Sequence, residues 1–291
     1  MIYLTISESQ LGNLKDIFTY VLLGSNIKKL VIHLHGGAGF AKLFLPSNFI
    51  TYNVNRYFLS KTKAIIVLSN VHKEIFLNGF DNSKIHIVPN FALDEIFIKP
   101  DELPAKYNLE KKINVLFLSN LIEGKGYIEL RDAYLKLPKI IREVVNIDFA
   151  GGFVDEIAKN DFLDSIKDHS GMKYHGIVHG VLKNKLLKEA QVFCLPTYYA
   201  FEGQPISILE AYAAGCFVLT TPHSGIPDIF RDEVNGYLVD KKSADSISSA
   251  LLKVIENKSE ILQIGNNNLE YAQKNFRVQN FNNELLKILN D

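Results

Sequence analysis

The chain has 291 residues, 47% of them hydrophobic and 22% charged, enough for one large domain or two ordinary ones with full cores. Lys plus Arg number 32 and Asp plus Glu number 32. That balance argues against a dedicated nucleic-acid binder, which carries a basic excess, while an anionic small ligand needs only a local site. The two cysteines, Cys194 and Cys216, exclude a disulfide-rich secreted scaffold and, lying in apolar runs, read as buried thiols.

The opening residues show no basic region ahead of an apolar run, and no run of 18 apolar residues exists. Neither a signal peptide nor a spanning helix is expected. A cytoplasmic protein is the expectation, with peripheral contact to a membrane left open.

Short Val- and Ile-rich runs alternate with stretches of helical period. Strands are expected at residues 2–6, 29–35, 64–68 and 85–88, and helices at 12–22, 46–59 and 70–78. The last helix would be capped by Ser69 or Asn70 and closed by Gly79. Residues 90–112 have no clear period, contain Pro100 and Pro104, and read as a linker. A second series places strands at 114–118, 145–150, 172–175, 192–195, 217–220 and 237–239. Helices are expected between them at 127–137, 155–168, 183–190, 207–214 and 226–230, and three more at 243–256, 259–275 and 278–289.

Short strands separated by helices imply parallel sheets covered on both faces. Two such series imply an α/β protein of two doubly wound domains, which bind ligands at the carboxyl ends of their strands. The polar and glycine-rich segments fall at those ends: His35-Gly36-Gly37, residues 119–126, Gly151-Gly152, His175-Gly176 and residues 196–203. A site between the domains is therefore expected. No GxGxxG follows the first strand, and Gly124-Lys125-Gly126 is too short for a P-loop, which argues against a dinucleotide enzyme and a P-loop ATPase.

Two carboxylates stand out. Glu202 lies in the loop after the strand at 192–195, and Glu210 lies in a nearly apolar helix where a carboxylate needs a partner. Taken singly, Glu202 reads as a loop carboxylate and Glu210 as half of an internal pair. Together they span a helix N-terminus whose N–H groups suit a phosphate. In the expected strand at 29–35, alternation puts His33 and His35 on one face, with His35 at the ligand-binding end. The two imidazoles have no third metal ligand at useful spacing, and no Asp-x-Asp is present.

The segment from Pro196 through Glu202 and Glu210 to Gly215 resembles the double-glutamate signature of the family 4 retaining glycosyltransferases. Residues 85–93, 114–137 and 220–240 continue the same pattern, so the resemblance covers nearly the whole chain from Tyr3. It implies a GT-B-like fold, two Rossmann-like domains facing each other across a cleft. It also implies that Glu202 contacts the transferred sugar, that Glu210 binds the nucleotide ribose, and that Lys125 holds the donor diphosphate. His35 would contact the donor sugar, and His33 would be structural. An arginine usual in the family is matched by the neutral Asn120, so phosphate binding would lean on Lys125 and on the N–H groups of Gly203, Gln204 and Ile206. Ser224 would lie near the site, His223 at the surface, and His175, Leu182 and Lys183 around the base. The reaction would need no metal or other cofactor, with the nucleotide sugar as donor and a glycan or lipid-linked acceptor.

The resemblance further implies domains at 1–105 and 106–273, with a helix at 274–291 returning toward the first. The first domain would lack the usual first βαβ unit, which helps bind acceptor. Either the acceptor site is reduced, or a partner chain completes it, or the sequence is a truncated product. The expected activity is retaining sugar transfer in cell-surface polysaccharide synthesis. The alternatives are a non-catalytic or partner-dependent nucleotide-sugar-binding subunit and, more remotely, a nucleotide-sugar epimerase.

Overall fold

β-Branched and aliphatic runs suit a pleated, buried surface. In the computed structural model, which describes residues 1–45, 47–77, 80–107 and 112–290, they form two parallel sheets. The first holds β1 (Ile2–Thr5), β2 (Leu30–Leu34), β3 (Ala64–Val67) and β4 (Ile85–Ile87), in that spatial order. The second holds β5 (Ile113–Leu118), β6 (Val145–Ala150), β7 (Met172–Tyr174), β8 (Val192–Leu195), β9 (Phe217–Thr220) and β10 (Gly236–Leu238). Its order is β10-β9-β8-β5-β6-β7. Winding reverses between β5 and β8, and a crevice opens beyond the carboxyl ends of strands at such a reversal. The two-domain α/β architecture expected from the alternation is the one observed.

Each central strand is covered on both faces. In β2, Leu30, Ile32 and Leu34 join a core with Phe40, Phe44 and Phe76. Val31, between them, faces the other way. It packs with Ala64, Ile66 and Val88 against Ile288, Phe281 and Leu285 of the helix Val278–Asn290. That last helix therefore crosses back to the first sheet, where Lys63 Nζ also donates to the Leu289 carbonyl at 2.9 Å. Cys194 and Cys216 are both free and fully buried in the second core.

Three local expectations change. The stretch expected as a linker is packed: Ala92, Ile96, Ile98, Leu103 and Tyr107 belong to the second core. The Tyr107 hydroxyl contacts the carbonyls of Gln191 at 3.1 Å and Gly215 at 2.7 Å. Its apolar residues lack a helical or strand period because the segment runs over a preformed surface, and residues 108–111 of it lie outside the described residues. A short helix, Ala38–Leu43, follows the two glycines; two glycines at its entry mask its signal. The helix expected from residue 46 is seen as Phe49–Leu59, Pro46 lying outside the described residues. The helix Asn70–Leu77 is capped by Ser69, whose Oγ accepts from the His72 N–H at 3.3 Å. Its expected end at Asn78 and Gly79 lies outside the described residues.

Candidate functional site

The loops that follow β5 and β8 meet at the point where winding reverses. Gly124 and Gly126 have φ of +89° and +86°, a left-handed conformation that favours glycine. A Cβ on Gly126 would lie 2.5 Å from the Pro196 carbonyl oxygen, and one on Gly124 would lie 2.9 Å from Tyr199 Cα. Only glycines let the loops close this far. Their closure carries Lys125 onto the β8 loop, where its Nζ sits 2.8 Å from Glu202 Oε2. Thr197 Oγ1 donates to the same carboxylate oxygen at 2.9 Å, and the Tyr199 ring centroid is 4.9 Å from the ammonium. Both side chains are largely withdrawn from solvent, 13% exposed for Lys125 and 8% for Glu202. A pair so placed holds a cation and an anion at one point of the cleft, each neutralised by the other.

After Glu202 the chain turns through Gly203, Gln204 and Pro205 into the helix Ile206–Ala213. A Cβ at Gly203 would stand 2.3 Å from the His35 carbonyl oxygen of the first domain. Glycine is thus the residue that lets the two domains touch. Pro205 has no N–H to give, and the first-turn N–H groups of a helix have no intrahelical acceptor. These amides carry partial positive charge suited to an anion.

Glu210, one turn further on, is only 4% exposed. It pairs with Lys183, whose Nζ lies 2.5 Å from Oε1. Burial pushes the Glu210 carboxyl up, and the Lys183 ammonium pulls it partly back.

A cleft of about 370 Å³ is lined by His35 and Asn90 from the first domain and by Ser119, Lys125, Glu202 and residues 203–207 from the second. It brings together His35, Lys125, Glu202, Gly203, Gln204 and Ile206. Glu210, Asn120 and Ser224 are not among its lining residues. Glu210 lies deeper, one turn along the helix. Asn120 is exposed, with Oδ1 beside Gly152. Ser224, at φ +50°, donates from Oγ to the Glu202 carbonyl at 2.6 Å and so holds the loop from behind.

Two sequence-predicted residues have a structural duty as well. The Gln204 side chain is buried and joins the domains: Oε1 accepts from the Asn90 N–H at 2.7 Å, and Nε2 donates to the Leu68 carbonyl at 3.0 Å. His35 stacks on His33 at a ring separation of 4.0 Å. His33 is fully buried, contacts the Tyr3 hydroxyl through Nδ1 at 2.5 Å, and is driven by burial down to about 3. Burial lowers His35 too, so the imidazole facing the cleft is neutral at physiological pH. His175 is 2.6 Å from Asp148 Oδ1 through Nε2, and His223 Nε2 contacts the Tyr199 carbonyl at 2.8 Å.

Sequence reasoning missed Thr197, Tyr199 and Asn90 as site residues, and missed the pairing of Lys183 with Glu210. Thr197 and Tyr199 lie within the predicted loop 196–203 and were within reach of a signal, because residues just past a central strand fall in the crevice. Asn90 carried none.

Two facing parallel α/β domains, with a charged cleft at the strand reversal of the second, define a GT-B-type architecture. The chain belongs to the family described as "Glycosyl transferases group 1", whose model matches residues 100–271. It is similar to the uncharacterized glycosyltransferase MJ1069 of Methanocaldococcus jannaschii, at 25% identity over 88% of this chain and 65% of that protein. It is also similar to the UDP-Gal:alpha-D-GlcNAc-diphosphoundecaprenol alpha-1,3-galactosyltransferase of Escherichia coli, at 26% identity over 78% of this chain and 60% of that one. The chain thus spans less than two thirds of the length of these relatives. Among solved structures, Anabaena Alr3699/HepE in complex with UDP superposes with a TM-score of 0.79 at 16% identity, over 99% of this chain and 78% of that one. At that identity the likeness is one of fold.

Proposed function

We propose that this chain carries the donor site of a retaining glycosyltransferase, which moves a sugar from a nucleoside-diphosphate sugar to an acceptor hydroxyl without a metal ion. The observation that carries the reading is the Lys125–Glu202 pair, 2.8 Å apart, beside the N-terminus of the Ile206–Ala213 helix. An arriving diphosphate competes with Glu202 for the Lys125 ammonium. Lys125 and the N–H groups of Gly203, Gln204 and Ile206 then face the charge that builds on the leaving diphosphate, the use of a fixed cation that most favours a transition state. Glu202, released from Lys125 but still held by Thr197, becomes an acceptor for sugar hydroxyls. Glu210 accepts from the ribose hydroxyls, with the Lys183 ammonium offsetting part of the burial that raises its carboxyl. His35, neutral, can donate or accept a hydrogen bond to the sugar from the first domain. Asn120 and Ser224 support the loops around the donor.

Glu202 keeps its bond to Thr197 when Lys125 turns to the diphosphate, which supports a role in binding sugar hydroxyls over that of a nucleophile. Retention would then come from attack on the face the diphosphate leaves, with the departing phosphate taking the acceptor proton. The relatives named above and others described as acting in amylovoran and colanic acid biosynthesis support an acceptor that is a glycan or a lipid-linked sugar of a surface polysaccharide. The test is a thermal-shift screen of UDP-, GDP-, ADP- and dTDP-sugars followed by a transfer assay. A ligand that binds only the folded state raises its melting temperature. One base class should stabilise the protein, and stabilisation by none sinks the proposal. Donor binding without turnover on any acceptor would leave a binding subunit instead.

A further inference from the structure

A trans peptide unit is planar, and its N–H points opposite to its C=O. Whatever fixes a carbonyl therefore aims the amide that follows it. At the entry to the Ile206–Ala213 helix, one loop fixes two successive carbonyls. Ser224 Oγ donates to the Glu202 carbonyl at 2.6 Å, and the Gly225 N–H donates to the Gly203 carbonyl at 3.0 Å. Gly203 and Gln204 line the cleft, and Ser224 and Gly225 are not among its lining residues. The two carbonyls thus turn toward the loop behind, and the N–H groups of Gly203 and Gln204 turn the other way. Successive amides aimed to one side make a concavity suited to an anion.

Ser224 adopts a costly backbone state to do this. Its φ is +50°, where glycine is relaxed and serine is strained. Glycine would satisfy the backbone, so the hydroxyl is what the position needs. That hydroxyl has one hydrogen, which goes to Glu202. Its lone pairs face His72 Nε2 of the first domain, at 3.4 Å. Nε2 therefore carries the imidazole hydrogen, and Nδ1 accepts from Ser69 Oγ at 2.9 Å. The outcome is a directed chain from Ser69 through His72 and Ser224 to the Glu202 carbonyl, crossing from one domain to the other. It needs a neutral imidazole, and burial holds His72 below the ordinary histidine range against an opposing pull from Asp228.

The surroundings press these groups together. His72 is buried beneath the His35-Gly36-Gly37 turn, where a Cβ on Gly37 would lie 2.4 Å from its Cδ2. A Cβ on Gly225 would lie 3.2 Å from Ser69 Oγ, and the Asn70 N–H donates to the Asp228 carboxylate. The first-domain turn at residues 69–72 is thus the backing for the loop at 224–228. A leucine would fill the space of His72 without offering the serine a hydrogen.

We propose that His72 is a positioning residue of the donor site: by donating to Ser224 across the domain boundary, it fixes the Glu202–Gly203 peptide so that the Gly203 N–H faces the diphosphate. The first domain then helps to hold the leaving group without touching it. This role presupposes the donor site proposed above, and the two fail in different ways.

The test is calorimetric titration of the intact chain with UDP, GDP, ADP and dTDP, together with imidazole nitrogen NMR of His72, assigned by the signal lost in His72→Gln. For the diphosphate that binds, His72→Leu should weaken affinity by about fivefold, the size of one hydrogen bond. Ser224→Ala keeps the Cβ and should show the same loss. The double variant should lose no more than either single one, since all three cut the same chain of bonds. His72→Gln, whose side-chain amide can donate toward Ser224, should recover most of the affinity. The parent's His72 should be neutral with its hydrogen on Nε2. If His72→Leu does not fold, Ser224→Ala and the His72 spectrum decide. Binding of no diphosphate would sink the donor site and this role with it. Binding of one with His72→Leu equal to the parent, with losses that multiply in the double variant, with no recovery by glutamine, or with the His72 hydrogen on Nδ1, would overturn the role of His72 alone.

Discussion

Lys125 and Glu202 hold each other in a closed charge state, which on the proposed reading an arriving diphosphate opens. Replacing Lys125 with Met removes the cation facing the leaving group and leaves Glu202 buried with Thr197 as its remaining partner. Transfer should fall roughly a hundred- to a thousandfold, measured as kcat with saturating donor, and a kcat within a few-fold of the parent would remove Lys125 from the chemistry. Glu210 bears a different signature. Burial raises its carboxyl, so its ionisation costs folding free energy. The native state gains from this group below the ordinary glutamate range and loses that gain as pH rises through the elevated value. Glu210→Gln should therefore melt higher than the parent at pH 8, by a margin that shrinks as pH falls, while its nucleotide affinity drops. A variant that is less stable at pH 8, with affinity unchanged, contradicts both halves. Glu210 was legible in the sequence because a carboxylate in an apolar helix demands a partner, and Glu202 through the double-glutamate pattern it shares with Glu210. Their partners were not, since Lys125 and Lys183 lie 77 and 27 residues away and only the fold brings them near.

Elements were legible to the extent that their period was undivided. Strands and helices of the second domain follow their apolar spacing to within a few residues, and the site loops fall where strand ends require. The segment before β5 shows where this stops. Its prolines and charges read as a linker, yet Leu103 is buried in the second core. Leu103→Ala should cost about 2–5 kcal/mol in chemical denaturation, as a cavity-forming core substitution does; a loss under about 0.5 kcal/mol, usual at a plain surface position, would show that the segment is free after all. The Gln10–Leu23 helix misleads in the opposite sense. Its period is helical and its stripe is clear, but period alone does not say which face turns inward. Tyr20, with Ile17 and Leu23, turns onto the first core, and Asn13 and Asp16 bond to Asn55 and Ser7 on that side.

At the scale of the molecule, the two sheets are tied by few polar bonds. Gln204 supplies three through its side chain and carbonyl, reaching Asn90 and Leu68, and the Asn70 N–H donates to the Asp228 carboxylate. Gln204→Ala leaves the Asn90 N–H and Leu68 carbonyl buried and unpaired, a cost of about 1–3 kcal/mol for each such group. It should weaken donor binding with the second domain's own unfolding transition unchanged. This coupling was invisible in the sequence, where Gln204 figured only for its backbone N–H. The most direct test of the donor site is calorimetric titration of the chain with UDP, GDP, ADP and dTDP, alongside Lys125→Met and Glu210→Ala. One nucleoside diphosphate should bind at one site per chain, with clearly weaker binding in both variants. Binding of no nucleotide, or equal binding in all three proteins, would contradict the assignment of the cleft.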